Sequence, residues 1–305
     1  RSLGDLYLAL SDGGSQVYVI DPETGGLVEA LAGHDARVVD LAADEMGYRL
    51  ISGSSDSRAI IWEGLEPGEE VDSWSILHAR AVVAVGINAD GTRVVTADKD
   101  KDLRVWDADL REEVGRWPAA HTWQVQALGI SPNGEQIASA SKDVVLIHRV
   151  GEEGLLSQLG PHQADVSAVC FHADGERLFS GDVLGNIYLW DVESGDALLE
   201  LAGHDEAVTA LAMSVDAHTL WSGDDGGLVY AWRSTKDSQR HKHFEDGARR
   251  ELREASLLRF FDGDEALAYE QLIGGFRGLS DSDPAVASFL SRVAASGAAL
   301  ERDDE

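Results

Sequence analysis

Five histidines, His34, His78, His121, His162 and His204, recur at intervals of 44, 43, 41 and 42 residues, and each is followed four positions later by a valine. A second series keeps the same period: Trp62, Trp106, His148 in place of a tryptophan, Trp190 and Trp232, with Ile20 one step upstream of Trp62. A chain that repeats itself every ~42 residues is built from one supersecondary unit used over and over, because each unit alone is too small to bury its own apolar face. That excludes most folds of a 305-residue chain before any single residue is interpreted.

Within a unit, apolar and polar residues alternate in short runs separated by turn residues. One unit reads Val166 to Phe171, then a His-Ala-Asp-Gly turn, Arg177 to Ser180, Asn186 to Trp190, and a fourth run from Ala197 to Leu201. Alternation of period two marks half-buried strands, and Asp90-Gly91, Asn133-Gly134 and Asp174-Gly175 supply the backbone conformations of tight turns. Four strands per ~42 residues is the arithmetic of a propeller blade.

The local motifs agree. Gly33-His34 and Gly203-His204 open units, Ser131-Pro132-Asn133-Gly134 forms a turn, Ser52 to Asp56 reads Ser-Gly-Ser-Ser-Asp, and Trp-Asp closes strands at 106–107 and 190–191. With these features the chain resembles the WD40-repeat β-propeller family over residues 3–233. The expected fold is all-β, a propeller over 1–233 with six recognisable blades and six or seven in the complete ring. The first unit begins at its second strand, and no fourth strand is evident after Trp232, so an upstream segment or a second chain is expected to complete the ring. The opening at Arg1 in mid-pattern fits a processed product or a piece of a longer, bacterial WD40 protein, and the scarcity of lysine against arginine fits a GC-rich genome. Beyond residue 233 the apolar period changes to 3.6: Ala248, Leu252, Ala255 and Leu258, then Tyr269 to Phe276, then Val286 to Val293 predict a C-terminal α-helical extension of three short helices over 234–305.

What the resemblance implies for the repeated residues is structural. In the family a histidine of the inter-blade loop, a serine or threonine of the second strand, an aspartate of the next turn and a tryptophan of the third strand form a buried hydrogen-bond chain. By position the full set is His34, Ser52, Asp56 and Trp62, and again His78, Thr96, Asp100 and Trp106. The third unit keeps His121, Ser139 and Asp143 but has His148 for tryptophan. The last two keep His162, Ser180, Trp190 and His204, Ser222, Trp232, with Leu184 and Gly226 in the acid's place. Histidines in separate blades do not share a metal ion. The run Asp98 to Asp102 imitates a calcium loop but has Leu103 where that loop needs glycine, and Cys170 reads as a small core residue. No nucleophile is paired with a base, so neither an enzyme nor a cofactor is expected.

Charge narrows the partners. Against 55 acidic residues stand 25 basic ones, a net of −30, which repels phosphate backbones and anionic membrane surfaces. No apolar run is long enough to cross a bilayer, and a single cysteine allows no internal disulfide, so a soluble, cytoplasmic protein is expected. The family's usual face-lining positions are just before the repeated valine and just before the turn acid. Here they hold Arg37, Arg80, Trp123, Asp165 and Glu206, and Ser55, Lys99 and Lys142. Arg37, Arg80, Lys99, Trp123 and Lys142 come from consecutive units and form a basic, aromatic sector; Asp165 and Glu206 belong to the last two. Such a sector would bind a protein or peptide with an acidic or phosphorylated segment. The expected function is a non-catalytic protein–protein interaction scaffold or adaptor, the alternative being a sensor module of a larger protein with a kinase or protease effector elsewhere.

Overall fold

In the computed structural model, residues 8–11, 13–21, 26–65, 70–214, 217–233 and the backbone of 258–259 are described. They form six antiparallel sheets and contain no helix. Blade 1 holds three strands, β1 (Leu8–Ser11), β2 (Gln16–Ile20) and β3 (Leu27–Ala32). Blade 2 is β4 (Val38–Ala43), β5 (Arg49–Ser54), β6 (Arg58–Glu63) and β7 (Asp72–Leu77). Blade 3 is β8 (Val82–Ile87), β9 (Arg93–Asp98), β10 (Leu103–Asp107) and β11 (Glu112–Trp117). Blade 4 is β12 (Ala127–Ile130), β13 (Gln136–Ser141), β14 (Val144–Arg149) and β15 (Ser157–Leu159). Blade 5 is β16 (Val166–Phe171), β17 (Arg177–Asp182), β18 (Asn186–Asp191) and β19 (Ala197–Ala202), and blade 6 is β20 (Val208–Met213), β21 (Thr219–Asp224), β22 (Leu228–Arg233) and β23 (Leu258–Arg259).

Each strand pairs with its neighbour in sequence, so every blade is a meander joined by short turns. The first strands β4, β8, β12, β16 and β20 pack side by side in chain order and together line an open cavity of about 160 Å³, with Ala43, Gly86, Ile130, Phe171 and Met213 among its walls. Burial peaks on the second strand of blades 2 to 5 and falls towards the outer edge. The second strand of blades 2 to 6 is buried at five of its six positions, whereas β7 and β19 bury a single residue each, Ile76 and Leu201.

This gradient gives the repeated valine its physical reason. Blades stack face to face, and the valine opening one blade lies over the small residue that follows the serine of the preceding blade. A side chain at Gly53 would stand 2.8 Å from Val82, and one at Gly181 would stand 2.5 Å from Val208, so both positions admit only hydrogen. Polar groups latch the same seams: the Val85 amide donates to the Asp40 carboxylate at 2.8 Å, and the Ser167 hydroxyl donates to the Val208 carbonyl.

The C-terminal reading needs correction. Leu258, expected on a helix face, pairs instead with Val229, and Arg259 with Leu228, so that blade 6 gains the fourth strand that was not evident from the sequence. The exposed edge of β22 offers unpaired N–H and C=O groups, and an extended segment that satisfies them wins over helical periodicity. The rest of the expected helical extension lies outside the described residues.

Candidate functional site

The buried polar set differs from blade to blade. In blade 2, His34 Nδ1 meets Asp56 at 2.9 Å and Nε2 meets the Ser52 hydroxyl at 2.8 Å, while the Trp62 indole N–H donates to that same hydroxyl at 2.9 Å. Ser52 sits wholly inside. An imidazole and an indole that would each be costly to bury are thereby both satisfied by one hydroxyl.

Blade 3 departs from the expected set. His78 Nδ1 meets Asp98 at 3.2 Å, and Asp100, the acid assigned to it by position, lies outside and pairs with Arg80 at 3.6 Å. Asp98 also accepts the amides of Asp100 and Asp102, so it closes the turn and holds the histidine together. Threonine stands here where blades 2, 4, 5 and 6 have serine; Thr96 bonds the Arg104 carbonyl at 3.5 Å, and His78 Nε2 and Trp106 Nε1 find no hydrogen-bond partner. A β-branched side chain has fewer rotamers with which to serve as a hub. Burial, opposed by Asp98, lowers the His78 pKa.

Blade 6 has the same acid two residues beyond its serine. His204 reaches Asp224 at 2.8 Å and Ser222 at 2.7 Å, and Trp232 donates to Ser222 at 2.7 Å. In blade 5, His162 and Trp190 share Ser180, both at 2.7 Å, but Nδ1 lies 3.0 Å from the backbone carbonyl of Asp143 in blade 4. In blade 4, His121 reaches Ser139 at 2.7 Å, and burial, aided by the neighbouring His148, pushes its pKa down to about 4. The acids Asp98 and Asp224 were missed because the fixed spacing from serine to turn acid was taken from blade 2. A second spacing, Thr96 to Asp98 and Ser222 to Asp224, was present in the chain.

The rim carries the candidate interaction residues. The Ser55 amide donates to Arg37 O at 2.9 Å, Lys99 N to Ala81 O at 3.0 Å, and Val183 N to Asp165 O at 3.0 Å. These bonds tie the loop before each first strand to the turn between the second and third, so both position series share one rim. On it, Trp123 is 60% exposed, and the Lys142 ammonium stands 5.4 Å over its ring. Lys142 also meets Asp165 at 3.3 Å. The expected division into a basic and an acidic sector therefore fails at this seam: Asp165 touches the cation it was set apart from. Lys101 ties the turn of blade 3 to the loop bearing Trp123 by donating to the Thr122 carbonyl at 2.7 Å. Arg37 and Lys99 are exposed on the same rim, with no contact that joins them to the Trp123–Lys142 pair. Val183 and Leu184, at the turn tip beside Asp165, are 42% and 58% exposed; the sequence marks Leu184 only as a missing acid and does not mark Val183.

Among the described residues no group of three or more His, Cys, Asp or Glu side chains stands together to hold a metal ion, and no helix is long and apolar enough to cross a membrane. Cys170 lies on β16, its thiol donating to the Phe171 carbonyl at 3.4 Å.

A family model described as the WD domain, G-beta repeat, matches residues 25–63, 74–107 and 154–191. Among curated proteins, subunit I of eukaryotic translation initiation factor 3 from Nematostella vectensis is 31% identical over 26% of this chain and 24% of its own length. Autophagy-related protein 16 from Arabidopsis thaliana is 30% identical over 59% of this chain and 27% of its own, and Jouberin from Rattus norvegicus is 24% identical over 58% and 13%. The chain thus spans about a quarter or less of the length of these relatives. It carries three matched WD40 repeats, set on a frame of six antiparallel blades.

Proposed function

We propose that the chain is a non-catalytic docking module that holds a partner protein against the rim around Trp123, and that the partner's contacting segment is acidic or phosphorylated. The carrying observation is the exposed indole with Lys142 stacked on it, in a chain of net charge −30. An exposed tryptophan is a typical anchor of protein interfaces, and a cation held beside it attracts acidic side chains while the surrounding negative surface repels most others. The relatives point the same way in kind: one is by name a subunit of a larger factor. A cytoplasmic address fits a sequence with a single cysteine, which forms no disulfide within the chain.

The test is direct. A fluorescein-labelled peptide of glutamate and phosphoserine residues, followed by anisotropy, should bind with micromolar affinity that weakens with salt. Arg80→Glu with Lys142→Glu should weaken it more than tenfold. Absence of binding, or binding indifferent to the double reversal, would overturn the assignment.

A further inference from the structure

The turn between the second and third strands spans three residues in blades 2, 5 and 6, four in blade 3 and two in blade 4, and the two residues that open it are Ser55-Asp56, Lys99-Asp100, Lys142-Asp143, Val183-Leu184 and Asp225-Gly226. Blade 5 alone among them presents two apolar side chains. Leu184 occupies the place where Asp56 receives a histidine in blade 2. Losing that acid would leave His162 without its second partner, yet the histidine is satisfied from elsewhere, by the Asp143 carbonyl at 3.0 Å. The turn itself is held from inside: Asp182, buried, accepts the amides of Leu184 at 3.0 Å and Asn186 at 2.9 Å. Neither the hydrogen-bond chain nor the turn therefore needs an apolar tip, and leaving two such side chains in water stabilises nothing in the free protein.

The tip is not isolated. Val183 is bonded through its amide to Asp165, Asp165 meets Lys142 at 3.3 Å, and Lys142 stacks on Trp123. A continuous row, apolar, acidic, cationic and aromatic in turn, crosses the seam between blades 4 and 5 on a rigid backbone. Asp165 occupies Lys142, the cation of this row, and so stands in for an acidic partner residue when no partner is bound.

We infer that this row recognises a partner segment in which an aliphatic residue lies beside an acidic one, the aliphatic side chain resting on Val183 and Leu184 and the acid replacing Asp165 at Lys142. The inference rests on the docking function proposed above and adds the apolar anchor to it. Charge complementarity selects the acid, because Lys142 is a cation in a strongly anionic chain. Burial of the aliphatic side chain supplies affinity that charge alone would lose to salt.

Two labelled dodecapeptides separate the possibilities, one with a central leucine flanked by two aspartates on each side and one with serine in its place. At physiological salt the leucine peptide should bind at least tenfold more tightly. Leu184→Glu and Trp123→Ala should each abolish that difference, and both positions are exposed enough for the variants to fold, which circular dichroism would verify. Asp165→Asn should tighten binding of the leucine peptide severalfold by removing the internal competitor, a gain that damage to the fold cannot produce. Equal binding of the two peptides, or weakened binding by Asp165→Asn, overturns the inference and leaves the acidic docking function standing. No binding of either peptide, together with none of the glutamate–phosphoserine peptide, overturns both.

Discussion

At the scale of single residues, blade 3 sets two aspartates against each other. Asp98 is 2% exposed, touches His78 and takes two turn amides, whereas Asp100 lies on the surface against Arg80. Removing a buried acceptor leaves its donors unsatisfied at a cost of about 1–3 kcal/mol, whereas a surface ion pair contributes about 0–1 kcal/mol. Asp98→Ala should therefore lower stability by about 2–3 kcal/mol in urea unfolding, and Asp100→Ala by no more than about 0.5 kcal/mol. The reverse order would restore Asp100 to the place assigned by position. The histidines, serines and tryptophans of the chain were legible because they sit on strands of fixed period. The acids were not, because Asp98 to Asp102 offers an acid at both spacings and only the path of the turn chooses between them. Leu184 was seen only as a gap in a pattern, since a sequence does not show that His162 has found a carbonyl in the next blade.

At the scale of elements, the seam between blades 3 and 4 carries a size exchange. The outer-strand residue facing inward is Leu31, Ile76, Leu159 and Leu201 in four blades, but Trp117 in blade 3, where it pairs with Leu103. The facing position on the third strand of the next blade holds a tryptophan elsewhere and His148 here. The two rings lie 5.0 Å apart. The indole has moved from one side of the seam to the other. The glycine that gives it room has moved with it: a side chain at Gly33 would stand 3.0 Å from Trp62, and one at Gly115 would stand 3.0 Å from Trp117. His148→Trp alone should overpack the seam and cost about 1–3 kcal/mol. Combined with Trp117→Leu it should regain most of that loss, because the pair then has the composition of the other seams and the new indole N–H can approach Ser139. A double-mutant cycle with no coupling between the two positions would refute the exchange. The period placed the blades correctly, yet such compensation across a seam joins residues 31 apart in sequence and has no local signature. The same limit explains Leu258, whose helical spacing is a local signal and whose partner Val229 is distant.

At the scale of the whole molecule, the histidines couple the propeller to pH. His78, His121, His148, His162 and His204 all have pKa values lowered chiefly by burial, His121 to about 4, and they are spread over blades 3 to 6. Their unfolded value is near 6.5. Since the folded pKa lies below the unfolded one, the unfolded chain takes up protons first as pH falls. The stability these groups contribute is full above pH 6.5 and is lost progressively below it, towards the folded values. A histidine whose folded pKa lies well below the working pH contributes a slope of about 1.4 kcal/mol per pH unit, as His121 does between pH 6 and 5, and the other four add to it in the same sense. The net charge of −30 acts in the opposite sense, since protonation relieves self-repulsion, but that term is spread over an exposed surface and is screened at physiological salt. At 0.15 M salt the urea midpoint should therefore fall steadily from pH 7 to pH 5. His121→Gln, whose amide N–H can donate to Ser139 in place of Nε2, should make that fall shallower by about 1.4 kcal/mol per pH unit while leaving the pH 7 midpoint nearly unchanged. A midpoint that holds level or rises on acidification would mean that surface repulsion outweighs the buried imidazoles, and that the polar network is not the acid-labile part of the ring.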